Sequence, residues 1–149
     1  MMAMHDVEFR KLTIEDYEEI INLWKRAGLP YKPKGRDSKE AMEKQMETEP
    51  NFFLGAFHNG KLIGTVIGSC DFRMKGWINR LAVDPAYRGI GIAKELVTRM
   101  EKTLKERGAV VIAALIELPN PASINLFKKL GYTIHDSIVY VTKRESDEV

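Results

Sequence analysis

The segment Arg88-Gly89-Ile90-Gly91-Ile92-Ala93 constrains this chain more than any other. It follows an apolar run ending Leu81-Ala82-Val83-Asp84-Pro85 and opens a helical pattern that runs to Arg107. A strand feeding a glycine-bearing turn and then a helix leaves backbone N–H groups pointing out of the helix start. With the positive end of the helix dipole, those donors form an anion site suited to a phosphate or pyrophosphate. Gly89 and Gly91 let a ligand approach the backbone closely, because neither carries a side chain. Arg88 adds a fixed positive charge beside them. Two glycines alone fit an ordinary turn into a surface helix equally well, so the flanking residues decide between the readings.

A chain of 149 residues is expected to form one domain with a core of its own. We assign that domain to residues 7–143, with residues 1–6 and 144–149 as frayed tails. Hydrophobic content of 44% and charged content of 30% predict a soluble globular protein. A formal charge of +2 is too small to imply a nucleic-acid partner. The single cysteine excludes an internal disulfide framework and fits a reducing, cytoplasmic setting. No apolar stretch approaches the roughly 18 residues of a membrane span. Met1 to Asp6 does not read as a secretory signal.

Val7 to Leu12 alternates and predicts a first strand. Thr13, three residues before Asp16, resembles a capping box and opens a helix through about Ala27. Leu29 to Asp37 reads as a loop rich in proline and basic residues, and Ser38 caps a shorter helix to about Thr48. Phe52–Phe57 and Lys61–Ser69 read as strands joined by the tight-hairpin dipeptide Asn59-Gly60. Trp77–Val83 is a third strand leading into the glycine turn. Gly108 stops the next helix. Val110–Ile116 is a continuous apolar run, as expected of a central strand covered on both faces. Pro121 starts a helix that stops at Gly131. Tyr132–His135 and Ile138–Thr142 read as a closing hairpin.

This order of elements resembles the GNAT superfamily of acyl-CoA-dependent N-acetyltransferases from about Val7 to Thr142. Its pyrophosphate motif, Arg/Gln-x-x-Gly-x-Gly/Ala, is matched by Arg88, Gly91 and Ala93, and the phrase Leu81 to Pro85 is equally typical. A second match is Asn120 followed by the ending Phe127-Lys128-Lys129-Leu130-Gly131-Tyr132. The resemblance implies an α/β (α+β) fold with a mixed central sheet of about six to seven strands, splayed at the cofactor site and flanked by about four helices. It also implies acetyl-CoA as cosubstrate and no metal. Arg88, Gly89, Ile90, Gly91, Ile92 and Ala93 would hold the pyrophosphate. Leu81 and Val83 would pair with the pantetheine arm, as a peptide adds to a sheet edge. An amide of Leu81 or Ala82 would polarise the thioester carbonyl. Asn120 would lie across the gap, although a plain helix N-cap fits its position equally. By analogy, terminal strands could pair two copies into a homodimer.

Direct transfer requires a neutral amine. A lysine-like amine of pKa near 10.4 loses its proton at pH 7 at a cost of roughly 4.6 kcal/mol. A thiol of pKa about 8.5 leaves unprotonated at a cost of only about 2 kcal/mol. Many relatives carry a tyrosine general acid where Phe127 stands, and phenylalanine can pack against the arm but cannot donate a proton. Tyr140, a water or unassisted departure would take over. Several relatives place a carboxylate on the strand before the glycine turn, whereas this chain reads Ile78-Asn79-Arg80. Glu117 is the best candidate base, its alternative being a solvated strand-end carboxylate, and Asp71 is a weaker one. His58 and His135 read as turn or surface residues, and Cys70 as a structural thiol. An acceptor of lower pKa, such as an α-amine, needs no base.

Lys32, Lys34 and Arg36 fall where relatives place the lid over the acceptor. They are either solvated or select an acceptor that carries a carboxylate or phosphate. The expected function is acetyl transfer to a primary amine of a small molecule or protein, in a ternary complex. The alternative is a non-catalytic module that binds acyl-CoA, favoured by Phe127 and the missing strand carboxylate. Neither reading involves nucleic acid or a membrane.

Overall fold

The structure, a computed structural model, describes residues 2–149. Its elements are β1 (Glu8–Lys11), α1 (Tyr17–Ala27), α2 (Lys39–Thr48), β2 (Phe53–His58), β3 (Lys61–Cys70), β4 (Lys75–Val83), α3 (Ile92–Glu106), β5 (Val111–Ala114) and α4 (Pro121–Lys129). The strands form one sheet in sequence order. The first four pair antiparallel, and β5 lies parallel to β4.

Local chemistry sets most of these boundaries. The Asp16 carboxylate accepts the Thr13 N–H at 2.8 Å, so the predicted capping box closes a short 3-10 turn ahead of α1. Ser38 Oγ accepts the Ala41 N–H at 3.1 Å and caps α2. Asn59 and Gly60 both have positive φ, 49° and 79°, as the two-residue hairpin between β2 and β3 requires.

The sheet is covered on both faces. Along β3, side chains alternate, and the face bearing Gly64 and Gly68 receives α3. A Cβ on Gly68 would lie 2.6 Å from Met100 Sδ, and one on Gly64 would lie 3.1 Å from Ile92 Cγ2. Small residues there let α3 bury Leu96, Val97, Met100 and Leu104 directly on the strands. On the opposite face α1 buries Ile20, Leu23 and Trp24 completely. Trp24 donates its indole N–H to Thr65 Oγ1 at 2.9 Å, so the ring is buried with its polar atom satisfied.

Among the described residues the expected six to seven strands are five. The predicted closing hairpin does not form: residues 132–142 carry no strand. Its connection, Asp136-Ser137, has no glycine for the positive φ that Asn59-Gly60 supplies. Val110–Ile116 is correspondingly no central strand. Only Val111–Ala114 pairs, as the edge of the sheet, with Val110 76% exposed and Val111 53%. Among the described residues no helix is long and apolar enough to cross a membrane.

Candidate functional site

The parallel pairing of β4 with β5 runs only from Lys75↔Val111 to Ile78↔Ala114. Beyond Ile78, β4 continues for five residues, Asn79 to Val83, with no strand on that side. The two strands therefore diverge, and one edge of β4 is left open to pair with an extended ligand.

A bulge marks the point of divergence. Between Thr65↔Ala82 and Ile67↔Asn79, β4 carries one residue more than β3. The extra residue forces a local bend. Arg80 sits at this bulge with φ of +52°, a left-handed conformation unusual for a residue with a side chain. Its carbonyl accepts the Thr65 hydroxyl at 3.0 Å. The buried Trp24–Thr65 pair thus holds the bulge through the Arg80 carbonyl.

Past Val83 the chain turns on Asp84, a buried residue whose carboxylate accepts the Ala86 N–H at 2.9 Å. It also pairs with Arg26 Nε at 3.0 Å and lies 3.7 Å from Lys61 Nζ. Burial pushes the Asp84 carboxyl up, but the Ala86 amide, Arg26 and Lys61 together hold it below the ordinary carboxylate range. This anchor aims the chain into the glycine turn.

Gly89 and Gly91 have φ of +90° and +96°. Both are exposed, and a Cβ on Gly89 would meet no atom within 4 Å. The amides of Gly91, Ile92 and Ala93 precede the first helical bond of α3, from Glu95 N–H to Gly91 O at 3.1 Å. Such amides at a helix start are donors for an anion. Arg88 is exposed, its Nε 3.3 Å from Val83 O. The turn is thus open, donor-rich and positively charged. Leu81, Ala82 and Val83 lie on the open stretch of β4 that leads to it, Leu81 half-buried and the other two buried.

At the start of α4, Asn120 Oδ1 accepts the Ser123 N–H at 3.2 Å, the plain N-cap of that helix. Phe127 is buried, edge-on to the Tyr132 ring at 4.8 Å between centroids. Tyr132 donates its hydroxyl to Glu101 Oε2 at 2.7 Å. Burial, and then that carboxylate, push the Tyr132 hydroxyl well above the usual phenol range.

Glu117 is exposed in the segment after β5 and makes no hydrogen bond among the described residues. Tyr140 is 62% exposed on the tail that lacks a strand partner, so its expected position in a closing hairpin is not realised. Asp71 is a turn residue: Oδ1 accepts the N–H groups of Arg73 at 2.8 Å and Lys75 at 3.1 Å. Those bonds, led by that of Lys75, hold its carboxyl down, which makes it a poor base. His58 Nδ1 lies 3.3 Å from the Tyr87 hydroxyl, and His135 is exposed.

Arg80 and Asp37 escaped the sequence reading. Arg80 Nη2 pairs with the buried Asp37 carboxylate at 2.6 Å and Nη1 donates to Pro30 O at 2.5 Å. The stretch Ile78-Asn79-Arg80, on the strand where the resemblance implied a carboxylate, was the signal that could have pointed to Arg80.

Comparison with known proteins agrees with this geometry. The profile of the Acetyltransferase (GNAT) family matches residues 14–132. An acetyltransferase of Sodalis glossinidius is 36% identical over 140 residues, covering 93% of this chain and 95% of that protein. One of Pectobacterium atrosepticum is 36% identical over 134 residues, covering 89% and 92%. The crystal structure of the PaiA N-acetyltransferase from Thermoplasma acidophilum, in complex with coenzyme A, superposes with a TM-score of 0.76 at 25% identity, covering 89% and 92%. With a family match over most of its length, full-length relatives above one third identity and the diverging strands of a shared fold, this chain belongs to the GNAT acetyltransferase family.

Proposed function

We propose that this acetyltransferase moves an acetyl group from acetyl-CoA to a primary amine by direct attack in a ternary complex. The observation that carries the reading is the opening of β4 from β5 beyond Ile78, directly upstream of the donor-rich turn at Gly89–Gly91. The residues fit the cosubstrate. A diphosphate meets the amides of Gly91, Ile92 and Ala93 and the Arg88 charge, and the amide-bearing arm pairs with the free edge of Leu81–Val83. That the Thermoplasma acidophilum relative of like fold was solved in complex with coenzyme A supports this choice of cosubstrate.

In the step itself the amine nitrogen attacks the thioester carbonyl carbon, and the Leu81 or Ala82 N–H donates to the developing oxyanion. The C–S bond breaks and coenzyme A leaves as a thiolate. The ammonium then gives up its proton to water or to a carboxylate. Glu117, three residues beyond the end of β5, is the candidate carboxylate on that wall. Departure without an acid costs only about 2 kcal/mol at pH 7, so Phe127 at the acid position is compatible with turnover. Asn120 caps α4 and presents its remaining amide donors to the arm.

Incubation with acetyl-CoA and a panel of small amines and peptide α-amines should release free coenzyme A with at least one of them. Release with none, while coenzyme A itself binds, would instead identify a non-catalytic acyl-CoA-binding module, the reading that Phe127 and the missing strand carboxylate support.

The bare edge of β5 and the exposed run Ile138, Val139, Tyr140 and Val141, each at least 62% exposed, support pairing with a second copy. Light scattering should return a mass of two chains, and a mass of one chain, 17.0 kDa, removes this part of the reading.

A further inference from the structure

The loop from Pro30 to Asp37 is closed on itself. Gly35 N–H and Asp37 N–H both donate to Lys32 O, at 2.9 and 3.1 Å, and Lys32 N–H donates back to Asp37 Oδ2 at 2.7 Å. Tyr17 secures the ring from α1 by donating its hydroxyl to Asp37 O at 2.6 Å. The ring buries little apolar surface of its own: Lys32, Gly35 and Tyr31 are half-buried, and Pro33, Lys34 and Arg36 are exposed. Besides these polar bonds, Tyr31 packs against the core, and the C-terminal tail touches the ring, Lys32 Nζ donating to Asp147 O and Lys34 Nζ lying 3.4 Å from Glu148 Oε1.

Among the described residues, Arg80 is the sheet side chain that hydrogen-bonds to this ring. The Arg80 guanidinium stacks 4.9 Å over the Trp24 ring and reaches both ends of the loop, Pro30 O and the Asp37 carboxylate. Asp37 is only 5% exposed and Arg80 is partly buried, so the charge-assisted bond is directional and only partly screened by water. Arg80 is also the residue at the β4 bulge, one position before Leu81, and it holds a positive φ of 52°. A side-chain-bearing residue stays in that conformation only where its surroundings over-determine it. One residue thus fixes the backbone that opens the coenzyme gap and the side chain that closes the loop.

We propose that Arg80 is a positioning residue that couples occupancy of the β4–β5 gap to the order of the 30–37 loop. A pantetheine arm paired with Leu81–Val83 braces the bulge, which holds the Arg80 guanidinium in line with Asp37 and Pro30. The loop, with its exposed Lys34 and Arg36, is then set in place for the acceptor only after the acyl donor has bound. The coupling is reciprocal, so a fixed loop also favours the braced bulge. This inference rests on the acetyl-CoA reading of the gap.

Amide hydrogen exchange of Lys32, Gly35 and Asp37, with and without saturating coenzyme A, tests it. In the unmodified protein coenzyme A should slow exchange of these three amides at least about fivefold, the low end of typical coupling between sites. In Arg80→Met and Asp37→Asn the same amides should exchange faster in the free protein, and coenzyme A should leave their rates unchanged. Because the coupling is reciprocal, calorimetric affinity for coenzyme A should fall by a similar factor, about fivefold, in both variants, with binding still measurable because neither side chain touches the diphosphate turn. Arg80→Lys should restore the response only in part, because an ammonium cannot reproduce the fork to Pro30 and Asp37. Protection of the β2–β3 amides serves as the control for folding. Equal slowing by coenzyme A in the variants and the unmodified protein overturns the coupling, as does coenzyme A binding with no loop response. Absence of coenzyme A binding refutes the acetyltransferase reading itself, a separate and distinguishable failure.

Discussion

Replacing Gly91 with glutamate should lower the affinity for coenzyme A by about a hundredfold or more, with the fold retained. Gly91 has φ of +96°, where a residue bearing a Cβ is strained by about 1–2 kcal/mol. A carboxylate at the head of α3 also opposes the diphosphate and competes for the Ile92 and Ala93 amides, adding a penalty of about 1–2 kcal/mol. Every 1.4 kcal/mol is about tenfold in affinity, so the two effects together reach roughly a hundredfold. The glycine is exposed, and a Cβ there would meet only the Met4 methyl at 3.4 Å, so little in the core is disturbed. Calorimetry with coenzyme A reads the loss, and circular dichroism reads the retained fold. Gly91→Ala carries the backbone strain without the charge and should lose only about tenfold. Unchanged affinity in the glutamate variant would remove the diphosphate from this turn.

Thr65→Val should destabilise the protein by about 2–4 kcal/mol, although it keeps the side-chain volume. The Thr65 hydroxyl is fully buried; it accepts from Trp24 Nε1 at 2.9 Å and donates to Arg80 O at 3.0 Å. A methyl in its place leaves a buried indole N–H and a carbonyl at the bulge without partners, each costing about 1–3 kcal/mol. For a chain of this size each kcal/mol is worth about 2–4 °C, so the melting temperature should fall by roughly 5–15 °C. Thr65→Ser keeps the hydroxyl, loses one methyl and should cost only about 1 kcal/mol. Scanning calorimetry on the pair separates the effects, and equal melting temperatures would show that the hydroxyl does not support the bulge. Because Arg80 O is the second partner, the valine variant should also loosen the strand edge on which the acyl donor is read to lie.

The contrast between the two hairpin signals shows how far local sequence reaches. Asn59-Gly60 supplies two residues that tolerate positive φ, and the turn between β2 and β3 forms where it was expected. Asp136-Ser137 supplies no glycine at its second position, and the second expected hairpin is absent. The run 110–116 shows the same limit from another side. A continuous apolar stretch reads as a strand covered on both faces, but burial depends on neighbours that the stretch itself does not encode. With no strand beyond it, β5 is an edge: Val111 is 53% exposed, while Ile112 and Ala114 are half-buried against the core.

Local chemistry in the sequence determined the helix starts at Thr13, Ser38 and Asn120, the Asn59-Gly60 turn and the donor-rich turn at Arg88–Ala93. Each depends on a few adjacent residues whose backbone preferences and side-chain oxygens act within one turn. Only the tertiary structure decided where β4 leaves β5, that Arg80 takes a left-handed conformation at the bulge, and that it pairs with Asp37, 43 positions earlier. Those features join residues distant in the chain, so no local propensity marks them. They exist because the buried Trp24–Thr65 hydrogen bond and the Arg80–Asp37 ion pair satisfy polar groups that the folded core would otherwise leave without partners.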